Sequence, residues 1–122
     1  MRTTLLALCL ALLSTGAWAH RFAPSLLQVF EVDQGAYRVV WKTPRQRVSD
    51  VPLAPLFPSS CNAPDTEGVS AQGTGVVETL RLHCPGGVVG GVFAVTGLAE
   101  NSATALFSLQ TRDGLYYQSL LD

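Results

Sequence analysis

The chain opens on an apolar block and then changes rhythm. Residues 5–13 (LLALCLALL) are apolar without interruption, preceded only by the charge of Arg2 and followed by Ser14, Thr15 and Gly16. A block of that length falls short of the roughly 20 residues that a membrane-spanning helix needs. Ala17-Trp18-Ala19 then puts small residues three and one positions ahead of His20. A basic start, a short apolar core and an A-x-A triplet in that order are the pattern of a secretory signal. Residues 1–19 are therefore expected to form a signal-peptide helix, cleaved between Ala19 and His20. The competing reading, an uncleaved N-terminal anchor, is disfavoured by the short block and the well-formed triplet. Cys9 lies inside the block, without small residues placed to make it a lipid-attachment cysteine.

Beyond the signal, apolar positions recur every second residue and are broken by turn formers. Residues 25–32 are predicted as a strand, and Asp33-Gln34-Gly35 as a hairpin turn in which Gly35 can take positive φ. The returning strand, 37–42, has Tyr37, Val39 and Trp41 on one face and Arg38, Val40 and Lys42 on the other. Pro44 and the polar residues 45–50 close this hairpin. Residues 52–58 (PLAPLFP) are extended, but their three prolines restrict them to an edge or a covering segment. Residues 59–75, rich in Ser, Gly, Asp and Thr, are predicted as the longest loop. Residues 76–84 form a strong strand, with Val76, Leu80, Leu82 and Cys84 on one face and Thr79, Arg81 and His83 on the other. Pro85-Gly86-Gly87 ends it. Further strands are predicted over 92–95, leaving through Gly97, and over 104–111. Arg112-Asp113-Gly114 then turns the chain into 115–120.

No window beyond the signal carries a 3.6-residue apolar stripe. About seven short strands in about 100 residues predict an all-β fold, a small antiparallel β-sandwich of the immunoglobulin-like kind. It would occupy residues 20–122 as one extracytoplasmic domain, since 103 residues suffice for one and no more. No second transmembrane segment is expected. The uncharged stretch 86–99 is short and holds five glycines.

Charge removes one class of function. Without Arg2, seven basic residues stand against nine acidic ones, and they are scattered. A mildly acidic chain without a basic stripe lacks the electrostatic footprint of a nucleic-acid binder. Two cysteines remain after the signal, Cys61 and Cys84. In an oxidising compartment such a pair most simply forms one disulfide. A thiolate metal site is the weaker reading, because C-x-x-C spacing is missing.

Several local strings recur in a familiar order. They are Ala19-His20, Pro24-Ser25-Leu26-Leu27, residues 37–44 (YRVVWKTP), Cys61, Leu82-His83-Cys84 with Gly86-Gly87, Val95-Thr96-Gly97-Leu98, and Asp113-Gly114. Together they resemble the N-terminal extracytoplasmic domain of the HupE/UreJ family of bacterial membrane proteins, over nearly all of residues 20–122. The resemblance implies a secreted β domain that precedes a polytopic membrane domain. Nickel delivery is associated with the family through hydrogenase and urease accessory proteins. The sequence reaches Asp122 without that membrane domain, so the transport role is not carried over, and neither is any catalytic residue. The expectation is an envelope β domain, standing alone or truncated, that serves as an accessory to a membrane partner in the periplasm or outside the cell.

Candidate chemistry centres on His20. Cleavage after Ala19 would free its α-amino group beside its own ring Nδ1, and the two nitrogens could chelate one metal. Amine and imidazole nitrogens suit Cu(II) or Ni(II). His83, the other histidine, could supply a third nitrogen. The plain alternative is that His20 merely follows a cleavage site and His83 is an exposed strand residue beside the disulfide. Hydrolytic chemistry lacks a G-x-S-x-G frame, and Gly86-Gly87-Val88-Val89-Gly90-Gly91 lacks the Lys-Ser/Thr of a phosphate loop. Trp41, Tyr37, Tyr116 and Tyr117 are either a ligand platform or core and cross-strand packing, with packing the commoner use. The leading expectation is a non-enzymatic module that binds a partner through a sheet edge or the 52–58 segment. The alternative is a Cu- or Ni-binding domain built on His20.

Overall fold

The computed structural model describes residues 23–122. The signal peptide expected at residues 1–19, its cleavage point at Ala19 and the candidate ligand His20 lie outside the described residues. The described chain is all-β, with eight strands: β1 (Ser25–Asp33), β2 (Ala36–Pro44), β3 (Ala54–Leu56), β4 (Asp65–Gln72), β5 (Gly75–His83), β6 (Ala94–Thr96), β7 (Ala105–Gln110) and β8 (Tyr116–Leu121). Six of them make one sheet in the order β4-β5-β2-β1-β7-β8, and β3 pairs with β6 in a small second sheet. The two layers fit a β-sandwich.

Period-two patterning explains the central strands. Cross-strand registers put Leu80, Val39, Val29 and Leu109 on one rung, and Trp41, Leu27 and Phe107 on the next. All seven side chains are buried. A strand whose odd positions face a core and whose even positions face water cannot slip by one residue without exposing that whole set. The covering layer comes from residues 45–61 and 84–104, which contribute Leu53, Val88 and Leu98 to the same core. Phe93 bridges the layers: its ring lies 4.8 Å from that of Phe107 and 6.2 Å, edge-on, from that of Phe57. The proline-rich segment therefore covers the core, with Leu53 and Pro58 buried and β3 hydrogen-bonded to β6.

Two glycines are required by close approach. Gly35 has φ of 73°, and its carbonyl accepts the Cys84 amide at 2.8 Å. A Cβ there would lie 3.2 Å from the Cys84 carbonyl oxygen. Gly97 has φ of 81° and packs against residue 52, where a Cβ would come within 2.3 Å of the Pro52 carbonyl oxygen. Asn101 fastens the same junction. Buried at 4% exposure, it donates through Nδ2 to the Val51 and Gly97 carbonyls at 2.8 Å each and accepts the Ser49 amide at 3.2 Å.

Four details depart from the sequence expectations. Residues 59–75 are not a single loop, because 65–72 form β4. Every residue of β4 is exposed, so neither of its faces has an apolar period to read. The 92–95 strand is instead β6, and Val92 points to solvent. Val77 is buried although it belongs to the outward face of β5. One pairing, β1 with β7, is parallel among otherwise antiparallel ones. Parallel neighbours need a long crossover, and the covering layer supplies it.

Candidate partner-binding edge

Among the described residues, the six-stranded sheet has two edges without a further strand, β4 and β8, and they differ in kind. An edge strand presents unpaired backbone donors and acceptors, and natural edges are blunted with charge, proline or bulges. Strand β4 (DTEGVSAQ) carries Asp65, Glu67 and Gly68 and has a register irregularity between Thr66 and Gly68. Glu67 pairs with Arg81 on the neighbouring strand, and Thr66 donates to the Glu78 carboxylate at 2.9 Å. This edge is guarded.

Strand β8 (YYQSLL) has none of these devices. It carries no charge, no proline and no bulge, and it pairs with β7 without interruption from Tyr116 to Leu121. Its apolar side chains are open: Tyr116, Tyr117 and Leu120 are each more than half exposed, as is Leu115 just before it. The turn that leads in is tightly bonded. The Thr111 amide donates to the Leu115 carbonyl at 2.9 Å, and the Leu115 amide donates to the Thr111 hydroxyl at 3.0 Å. That hydroxyl also donates to the Asp113 carboxylate. The Thr111 bond, followed by the Leu115 backbone, lowers the Asp113 pKa. Arg112 reaches across to Asp33 at 2.9 Å and ties the turn to the end of β1.

The outward face adds to the open edge. Registers align Val77, Lys42, Leu26, Leu106 and Leu120 on one outward rung, and Arg81, Arg38, Phe30, Gln110 and Tyr116 on another. The Arg38 guanidinium stacks 5.3 Å above the Phe30 ring. On the first of these rungs Leu26, Leu106 and Leu120 thus make a short apolar strip beyond Lys42 that ends on the edge.

The other candidate residues separate. Cys61 and Cys84 form the disulfide, with Cα atoms 4.1 Å apart. The bond uses both thiols, so a thiolate metal site is not built from them. His83 is exposed at the end of β5, beside Gly35, and its carbonyl accepts the Asn62 amide at 2.8 Å. Among the described residues, no three His, Cys, Asp or Glu side chains are gathered as a metal site. The four aromatics do not form one platform. Tyr37 and Trp41 are core residues, whereas Tyr116 and Tyr117 stand on the open edge. Burial first, then the Glu31 carboxylate, raises the Tyr37 pKa above its usual 10, with a Val88 backbone hydrogen bond opposing them.

Sequence reasoning missed Asn101 as the fastening of the covering layer, and it missed the contrast between the edges. A cavity of about 430 Å³ lies beside Asn101, between Ser25, Pro44 and Leu53. The buried Ser25 hydroxyl has no hydrogen-bond partner among the described residues. Among these residues, no helix is long and apolar enough to cross a membrane. The disulfide is compatible with an oxidising compartment outside the cytoplasm. Comparison with family models, curated proteins and solved structures finds no significant match in any of the three.

Proposed function

We propose that this protein is a non-enzymatic interaction module of the cell envelope, which binds a partner by taking an extended segment of it alongside β8. The observation that carries this reading is the asymmetry of the two edges: β4 is charged and bulged, whereas β8 is uncharged, regular and apolar. Strand addition uses main-chain hydrogen bonds for affinity and alternating side chains for specificity. On β8, Tyr116 and Leu120 would read the outward side of the incoming strand, and Tyr117 and Leu121 the inward side. The signal pattern of residues 1–19 and the disulfide support a periplasmic or extracellular setting. The resemblance to the HupE/UreJ N-terminal domain supports a membrane protein as the partner.

Affinity capture from the envelope of the host cell tests the assignment. Leu120→Lys puts a charge on β8, and Ser70→Lys puts the same charge on β4. Loss of a specific partner with Leu120→Lys and its retention with Ser70→Lys is the expected result. Equal capture by both variants rules the β8 site out.

A further inference from the structure

We infer that, when no partner occupies it, β8 is capped by the β8 strand of a second copy, in an antiparallel register centred on Gln118. This rests on the strand-addition reading and names what holds the edge in the free protein. The need for a cap comes from the edge itself. A bare, regular, apolar edge is a template for uncontrolled sheet growth, and this one has Leu115, Tyr116, Tyr117 and Leu120 open to solvent.

The sequence of the edge suits pairing with itself. Across a two-fold axis perpendicular to the sheet, paired residues keep their faces, so residue numbers in each pair must sum to an even value. Centring on Gln118 pairs Leu120 with Tyr116 of the second copy on the outward side, and Leu121 with Leu115 on the inward side. Tyr117 meets Ser119, and Gln118 meets its own counterpart. Residues 115–121 (LYYQSLL) contain no charge, so no like charges meet along the seam. Asp122 falls opposite Gly114 of the second copy. Centring one residue later would put Asp122 opposite Tyr116 and Gln118 opposite Leu120, breaking both outward apolar pairs.

The pairing also extends the outward surface. Leu26, Leu106 and Leu120 already share one rung, and Tyr116 of the second copy would continue it across the seam. Two six-stranded sheets would become one continuous sheet, with each copy's guarded β4 at an outer end. That arrangement closes: the open edges are used up and the guarded ones remain. A one-strand seam is small, below the roughly 1,200 Å² at which stable interfaces begin. The dimer is therefore weak enough to release β8 to a partner, with a micromolar dissociation constant.

Sedimentation velocity on the exported protein and cysteine cross-linking test this together. Expected results are a monomer–dimer equilibrium in the micromolar range and its loss in Leu120→Lys, with retention in Ser70→Lys. Gln118→Cys should give a disulfide-linked dimer on mild oxidation, because the two copies of that position face each other. Ser119→Cys should give none, since its two copies sit diagonally across the axis, beyond the reach of about 7 Å that a disulfide allows. A monomer at all concentrations, or cross-linking from Ser119→Cys as strong as from Gln118→Cys, overturns the inference. If the monomer still loses its envelope partner through Leu120→Lys, self-capping fails while strand addition stands. If Leu120→Lys abolishes dimerisation but leaves capture intact, self-capping stands and the strand-addition reading fails.

Discussion

Reducing the Cys61–Cys84 bond should cost about 3.4 kcal/mol. The two residues are separated by 23 positions, and the loop-closure relation for a cross-link of that length gives about 11.5 cal/mol/K, or about 3.4 kcal/mol at 25 °C. The loop so closed contains β4 and β5. Its two ends are joined to each other by the Asn62–His83 backbone bond, and Cys84 is held to the body by its bond to Gly35, each 2.8 Å. For the 100 described residues, unfolding entropy near 2.1 cal/mol/K per residue converts this into a drop of about 16 °C in Tm. The assay is denaturant and thermal unfolding of one preparation, with and without reductant, so that the buried Cys84 sulfur is not removed along with the bond. The reduced protein should remain folded, because β5 stays hydrogen-bonded to β2 along its whole length and keeps Leu80 and Leu82 in the core. A difference below about 1 kcal/mol would refute the reasoning, since the bond would then constrain an unfolded chain already restricted in that region.

Other consequences can be measured on the same protein. Asn101→Ala removes three side-chain hydrogen bonds and takes the partner from the Val51 carbonyl and the Ser49 amide, while the Gly97 carbonyl keeps the residue 101 backbone amide. A loss of about 3 kcal/mol is expected from denaturant unfolding, with faster amide exchange at Ser49. Ser25→Ala removes the buried hydroxyl that lacks a partner among the described residues, and should leave stability unchanged or raise it by up to about 1 kcal/mol in the same assay. The raised Tyr37 pKa has a definite sign. The folded protein holds that proton more tightly than the unfolded chain, so its contribution is complete below pH 10 and is lost as pH rises through the folded-state value. Unfolding midpoints measured from pH 8 to 11 should fall less steeply in Tyr37→Phe than in the parent.

How much of this could be read in the chain depended on whether a face was buried. Tyr37, Val39 and Trp41 announced their strand and its inward side, because the core lies on one side only. Strand β4 has no buried side, so it carries no alternation and looks like the loop its composition suggests. The parallel β1–β7 pairing has no local signature, because it depends on how residues 84–104 cross the core before β7 begins. The disulfide followed from a cysteine count and an inferred compartment. The edge character of β8 did not: its residues read as an ordinary strand until the sheet order leaves it without a neighbour on one side. Tyr116 and Tyr117 were visible as candidates, but which aromatics face solvent is a property of that order.

Site-specific photocrosslinking in the intact envelope tests the central claim most directly. A photoreactive side chain at Gln118, on the open edge, is compared with one at Ser70, on the guarded edge. Discrete adducts are expected from Gln118 and none from Ser70. Adducts from both positions alike, or from Ser70 alone, would contradict that claim.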